Sequence, residues 1–287
     1  MASGNGGGKA GAALVLSTPQ KFEVIKSGLT NKRGDLVQLM PRHLQQNPDK
    51  LLRCVTTAIS RTPELLDCSL QSIILATASS CALGLEPNTH LQLAYLIPFK
   101  NKKANNKLEA QFMIGYRGII RLAIQSGEVS AMRSRTVRGN DDFKLRYGLH
   151  EDIDHIPLLN GPRGDVIGAY SVAVMRGDNG YDFEFMSREE IDGIRARSQS
   201  GNDGPWVTDF SEMARKTPTR RHGKRLPLSS ELLAKAVTID EKQDLGQVTR
   251  NDIEDVLGKG FVDVYDEMVG EVVEQPQDRG DALANKV

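Results

Sequence analysis

The chain has 287 residues, and its hydrophobic (39%) and charged (26%) shares exclude a collagen-like, fibrous or wholly disordered protein. No apolar run approaches the roughly 20 residues of a membrane span, and Cys54, Cys68 and Cys81 form no CxxC pair, so neither a disulfide framework nor a zinc site is predicted. The net charge is zero but divided: residues 239–287 carry a net −8 and the preceding body +8, the layout of many nucleic-acid binders.

Residues 1–34 are small, polar and Gly-rich, with no apolar core of a secretory signal. They read as disordered, or as an arm that orders on assembly. Asn47-Pro48 is a cap followed by a first-turn proline, and Leu51, Leu52, Val55, Ala58 and Ile59 put one apolar face on the helix that follows. Pro63 ends it. A second helix runs from about Ser69 to Leu83 and stops at Gly84, with a face of small residues suited to close packing.

Leu91–Pro98 and Leu108–Ile114 predict a hairpin with a lysine-rich tip. Gly115-Tyr116-Arg117-Gly118 leads into a short helix closed by Gly127. Strands follow at Val129–Arg138, Phe143–Tyr147, Val166–Arg176 and Tyr181–Met186, separated by Asn, Asp, Gly and Pro. Ser187 and Glu190 make a capping box for a helix to about Arg197. Further helices are predicted over Thr208–Thr217, Ser229–Val237 and Val248–Leu257, the last with Ile253, Val256 and Leu257 as an apolar stripe. The order is that of an α+β fold: a central antiparallel sheet with a packed helix, flanked by N- and C-terminal helices. Three parts result: the arm, residues 1–34; a core, residues 35–240; and an acidic, mostly flexible tail, residues 241–287, for which partner docking and simple solubilisation are equal alternatives.

Basic residues concentrate in two places. Between Lys100 and Arg146 bases far outnumber acids, and from Arg215 to Arg225 there are bases and no acid. Arg133 and Arg135 share a strand face, which Arg138 joins only across a bulge. One basic sheet face and one basic helix could wall a groove for a phosphate backbone; the alternative is a scattered, solvated surface. Aromatic content is 5%, which favours backbone holding over base stacking, and Trp206 reads as a core anchor. His150-Glu151-Asp152-Ile153-Asp154-His155 has metal-ligand residue types but no second cluster, and reads better as an edge strand or loop. There is no Walker A loop and no GxSxG, so neither nucleotide use nor covalent catalysis is indicated.

Several segments in order resemble the RecT family of phage-encoded single-strand annealing proteins. They are Met40-Pro41-Arg42-His43, Leu83-Gly84-Leu85-Glu86-Pro87, Ala94-Tyr95-Leu96-Ile97-Pro98-Phe99, Ile114-Gly115-Tyr116-Arg117-Gly118, Gly204-Pro205-Trp206-Val207-Thr208, Glu212-Met213-Ala214-Arg215-Lys216-Thr217, Arg220-Arg221 and Leu226-Pro227. The resemblance covers about Leu39 to Lys242. It implies a Red-beta-like annealing core and an ATP-independent, non-catalytic protein that coats single-stranded DNA and anneals complementary strands as a homo-oligomeric ring or filament. It implies no required cofactor, with Mg2+ at most a modulator of DNA binding, and no membrane. The expected partners are a 5′→3′ exonuclease and a host single-strand-binding protein, in the cytoplasm of a bacterium carrying the phage or prophage.

Tyr116, Arg117, Lys216, Arg220 and Arg221 match family-like positions and are the first candidates for DNA contact. Lys100 follows the matching Pro98-Phe99, and Lys224 falls at a basic family position. Arg121, Arg133, Arg135, Arg138 and Arg225 rest on charge. Pro218, His222 and Gly223 depart from a helix-compatible pattern, so the helix is expected either to end at Thr217 or to restart at Pro218. Two other functions compete: a metal-dependent DNA-processing enzyme centred on His150–His155, and a non-annealing protector of single strands.

Overall fold

A computed structural model of the chain describes residues 16–101, 107–177, 180–198, 200–202, 204–226, 231–245 and 250–258. The N-terminal third is helical: α1 (Thr18–Asn31), α2 (Arg33–Leu39), α3 (Arg42–Gln45), α4 (Pro48–Arg61), a 3₁₀ turn (Pro63–Asp67) and α5 (Leu70–Leu83). Residues 18–31 of the arm expected over residues 1–34 are therefore ordered helix. Ser17 and Gln20 close a capping box, and Ile25 and Leu29 bury a face of α1, which packs on α5 and the 3₁₀ turn. The apolar residues Phe22, Ile25 and Leu29 lie at helical spacing inside a polar, small-residue stretch, and composition masked them. Residues 1–15 lie outside the described residues.

Pro48 opens α4, and Leu51, Val55, Ala58 and Ile59 are buried on one side. Ser69 caps α5 by accepting from the Ser72 N–H, and Gly84 ends it in the left-handed region at φ 63°. Of the small residues of α5, Ala76, Ala78, Ser80 and Ala82 are buried and Ser79 is half-buried.

The sheet is divided rather than single. β1 (Ala94–Asn101) and β2 (Lys107–Ile114) form the expected hairpin, whose tip at 102–106 lies outside the described residues. After α6 (Tyr116–Gln125) come β3 (Val129–Arg138), β4 (Asp142–Arg146), β5 (Asp152–Ile156), β6 (Val166–Met175) and β7 (Tyr181–Ser187). They make an antiparallel three-stranded sheet ordered β3-β6-β7 and a separate β4–β5 hairpin. Then follow α7 (Arg188–Arg197), α8 (Pro205–Thr208), α9 (Phe210–Arg225), α10 (Glu231–Asp244) and α11 (Arg250–Leu257).

The two faces of the three-stranded sheet are covered differently. α9 crosses one face: the Ser134 hydroxyl donates to the Arg215 carbonyl, and His222 Nδ1 lies 3.0 Å from the Ser171 hydroxyl. The β4–β5 hairpin lies on the other, with Phe143 stacked on Tyr170 and Phe185 and Tyr147 on Phe183. One core joins α1–α6, the β1–β2 hairpin and α10–α11. A smaller core under α7–α9 is anchored by Trp206, as expected. Each fully buried Leu or Ile in these cores stabilises by about 1.5–3 kcal/mol.

α9 neither stops at Thr217 nor restarts at Pro218; it runs on to Arg225 with Pro218 inside. An interior proline costs about 3 kcal/mol. Here the helix is held between the sheet and α10, and Thr217 and Thr219 hydroxyls add bonds to the Met213 and Arg215 carbonyls. A Cβ on Gly223 would make only ordinary contacts, 3.4 Å from Ile119 and 3.6 Å from Val237, so this position packs against α6 and α10 but does not require glycine. The boundary expected at residue 240 falls inside α10. Ile253, Val256 and Leu257 pack against the main core, so ordered helix continues to 257. Among the described residues, no helix is long and apolar enough to cross a membrane.

Candidate nucleic-acid interface

The interface is built on the turn between β2 and α6. The Gly115 N–H donates to the Leu93 carbonyl at 2.9 Å. A Cβ on Gly115 would fall 2.6 Å from the Gln92 carbonyl oxygen, and one on Gly118 2.1 Å from that of Leu93. Both obstacles are backbone, so only glycine lets the start of α6 lie this close to the loop before β1. That loop carries its own strain: Gln92 has φ 57° and Asn88 φ 51°.

The turn presents Tyr116 and Arg117. Arg117 Nε donates to the Tyr116 hydroxyl, and the guanidiniums of Arg117 and Arg215 lie 5.9 and 5.5 Å from the Tyr116 ring centroid. Arg121 is one helical turn on, on the same exposed side as Arg117. Lys100 is exposed near the end of β1. Lys100, Arg117 and Arg121 pair with no described carboxylate within 4 Å. Between the β1–β2 hairpin and α8–α9 lies a groove of about 950 Å³, lined among others by Tyr95, Phe99, Lys100, Tyr116, Met213 and Lys216. Tyr95 carries no sequence signal of its own for DNA contact; the fold of the hairpin onto the Gly115 turn brings it into the groove.

The second basic wall expected on α9 is neutralised. Arg215 pairs with Glu212. Lys216 lies 2.9 Å from Asp240, and Arg220 pairs with Asp240 and Asp244. Arg221 reaches Glu184 at 2.6 Å and Glu190 at 2.9 Å, Lys224 pairs with Glu241, and Arg225 pairs with Asp182 and Glu184. Lys216 and Arg220 are 4% and 5% exposed, so the structure places these two candidates inside the protein. Burial would lower the Arg220 pKa, but Asp244 and Asp240 outweigh it and the guanidinium is held charged. Asp240 also accepts the Ile114 N–H at 3.0 Å, directly before the Gly115–Gly118 turn. It therefore ties α9 and α10 to the base of the interface. No sequence signal marked it, because it reads as one more acid of the acidic segment that begins at residue 239.

β3 does not face α9 with its exposed arginines. Ser134 points at α9, so Arg133 and Arg135 point to the opposite face of the sheet. The register slips between Val137 and Arg138, but the extra residue is Ile167 on β6, so β3 keeps its alternation. Arg138 thus stays on the α9 side, donating to the Gly164 carbonyl and reaching the Ser211 hydroxyl. The two walls expected from the sequence are two separate surfaces.

The His150–His155 segment supplies β5. Asp152 and Asp154 are exposed on one side and His155 turns inward, as strand alternation requires. His155 lies 3.1 Å from the Tyr170 hydroxyl and 3.1 Å from Asp141. Asp141 also accepts from both Arg163 Nε and Nη2 and from the Arg138 and Leu158 N–H groups. With Arg163 foremost, these donors hold its carboxyl far below the usual carboxylate range despite burial. His155 therefore braces the β4–β5 hairpin. Among the described residues no group of three His, Cys, Asp or Glu could hold a metal ion.

A sequence model of the RecT family matches residues 49–255. Over 214 residues the chain is 41% identical to Protein RecT of Escherichia coli (strain K12), an alignment covering 74% of this chain and 78% of that protein.

Proposed function

The chain belongs to the RecT family, and from that premise we propose that it binds single-stranded DNA and anneals complementary strands in recombination, as a homo-oligomer and without nucleotide hydrolysis. The observation that carries this reading is the Gly115–Gly118 turn, which puts Tyr116 in the wall of an aromatic-lined groove and exposes Arg117 next to it and Arg121 one helical turn on, while Lys100 of β1 lines the same groove. Annealing needs the sugar-phosphate backbone held and the base edges left free. Exposed cations with no described carboxylate partner supply the first. Tyr95, Phe99 and Tyr116 offer faces on which a base can stack without its pairing edge being read.

Supply of single strands by a 5′→3′ exonuclease and exchange with a host single-strand-binding protein belong to the same proposal. Mg2+ enters it only as a modulator of DNA binding. The test is pairing of two fluorescent complementary oligonucleotides without nucleotide or metal, with the protein added first to one strand. Faster pairing supports annealing. Binding without faster pairing makes the protein a protector of single strands. Cleavage on adding Mg2+ or Mn2+ makes it a nuclease.

A further inference from the structure

The turn before β1 stores strain at the edge of the groove. Asn88 and Gln92 both lie in the left-handed region, at φ 51° and 57°. Asn is tolerated there, because its short amide bonds locally; Gln is not favoured. The Thr89 hydroxyl between them is buried and has no hydrogen-bond partner among the described residues. The conformation is held from outside the turn. Asn88 Oδ1 accepts from the Leu96 N–H at 2.7 Å, and its Nδ2 donates to the Leu96 carbonyl at 3.3 Å. The Asn88 N–H donates to the Ala94 carbonyl, and the Leu93 carbonyl accepts from the Gly115 N–H, both at 2.9 Å. Strain that the surroundings hold in place clusters at functional sites.

What this strain presents is an apolar side chain at the rim of the groove. Leu91 is 40% exposed, between the exposed His90 and Gln92. Gln92 lines the groove with Tyr95 and Tyr116. Its carbonyl sits where a Cβ on Gly115 would meet it at 2.6 Å, which places Leu91 beside the start of the Gly115–Gly118 turn. Glycine at position 92 would adopt this φ freely. Gln92 instead keeps a side chain in the groove wall despite the angle. Phosphates go to the cations of the interface. A lone apolar side chain at its rim matches the other chemistry of a single strand, the faces of its unstacked bases.

We propose that the Asn88–Gln92 turn is a base-contacting element of the interface. Leu91 lies against the face of one base beside Tyr116, and Gln92 is the positioning residue that holds it there. Contact with a face leaves the pairing edge free, so the turn is compatible with annealing. For its ligand the inference rests on the single-strand reading above.

The test is binding of the full chain to two fluorescent strands of equal length. One is a mixed-sequence oligonucleotide; the other is an abasic strand with the same phosphates and no bases. Leu91→Ala should bind the first about fivefold more weakly and the second as wild type does. Its salt slope should stay that of wild type, because an apolar contact releases no counterions. Arg117→Ala, by contrast, should weaken binding to both strands. Gln92→Gly frees the backbone and should weaken binding to the base-bearing strand alone, with the melting temperature close to wild type. Gln92→Asn tolerates the left-handed region and should bind as wild type. Equal losses on the two strands in Leu91→Ala, or no loss on either, would overturn the base contact. Wild-type binding by Gln92→Gly, or a loss in Gln92→Asn as large as in Gln92→Gly, would overturn the positioning role. A wild type that binds neither strand overturns the single-strand reading itself, and this inference with it. A wild type that binds, with Leu91→Ala indifferent to the bases, overturns this inference alone.

Discussion

Two residues, Arg117 and Lys216, show how differently cations of one charge behave. Arg117 is exposed and has no described carboxylate partner, whereas Lys216 is 4% exposed against Asp240. Arg117→Ala should weaken single-strand binding and flatten its salt slope by about 0.7, with the melting curve unchanged. An unchanged slope in salt titrations would remove Arg117 from the interface. Lys216→Ala should do the reverse, lowering stability by about 1.5–3 kcal/mol in urea titrations, because buried Asp240 loses the bond from Lys216 but keeps Arg220. His222 sets an acid limit. Burial drives its pKa down to about 4, against 6.5 for the unperturbed group, so the fold favours the neutral ring. Its contribution, on the order of 3 kcal/mol, is complete above pH 6.5 and is lost as the pH falls towards 4. His222→Gln should flatten unfolding free energy against pH in that window; a limb as steep as wild type would place the proton elsewhere. Asp141, with its carboxyl held below the normal 3.8, acts in a lower window.

At the scale of elements, helices and strands with local signals were legible: the Ser69 cap and Gly84 stop of α5, the Ser187 capping box, and β3, whose predicted bounds match those found. What was not legible depended on distant partners. The course of α9 through Pro218 follows from burial between the sheet and α10, which no local propensity encodes. The candidate site divided in the same way. The Gly115–Gly118 turn carries its own spacing, but the neutralisation of α9 by Asp182, Glu184, Glu190, Asp240, Glu241 and Asp244 needs the tertiary fold. The sides of β3 required knowing where α9 lies. α10 and α11 give a direct test of the boundary. A chain ending at residue 240 loses Asp244, the partner of Arg220, and the apolar side of α11. It should melt well below a chain ending at 258; equal melting temperatures would show that α11 contributes nothing to the core.

For the whole molecule, formal charge is a poor guide to binding. The body's +8 suggests a broad positive surface, yet all six cations of α9 are met by internal acids. If Lys100, Arg117 and Arg121 make the phosphate contacts, the slope of log K against log salt should be about −2 per subunit on single strands. A slope near −6 would mean that the α9 cations let go of their carboxylates and turn to DNA. The slope therefore separates a preformed interface from one that opens on binding.

The neutralisation of α9 also has a consequence in time. Asp182, Glu184 and Glu190 precede α9 in the chain, but Asp240, Glu241 and Asp244 follow it. Translation runs from the N-terminus at about 5–20 residues per second. For a short interval Lys216, Arg220 and Lys224 have left the ribosome without the acids that will hold them, and the nearest polyanion is ribosomal RNA. We expect nascent chains stalled with only residues 1–238 exposed to cross-link to that RNA through α9, and chains exposing residues 1–258 to be released from it. Equal cross-linking would mean that the late acids are not what frees this protein from the machine that makes it.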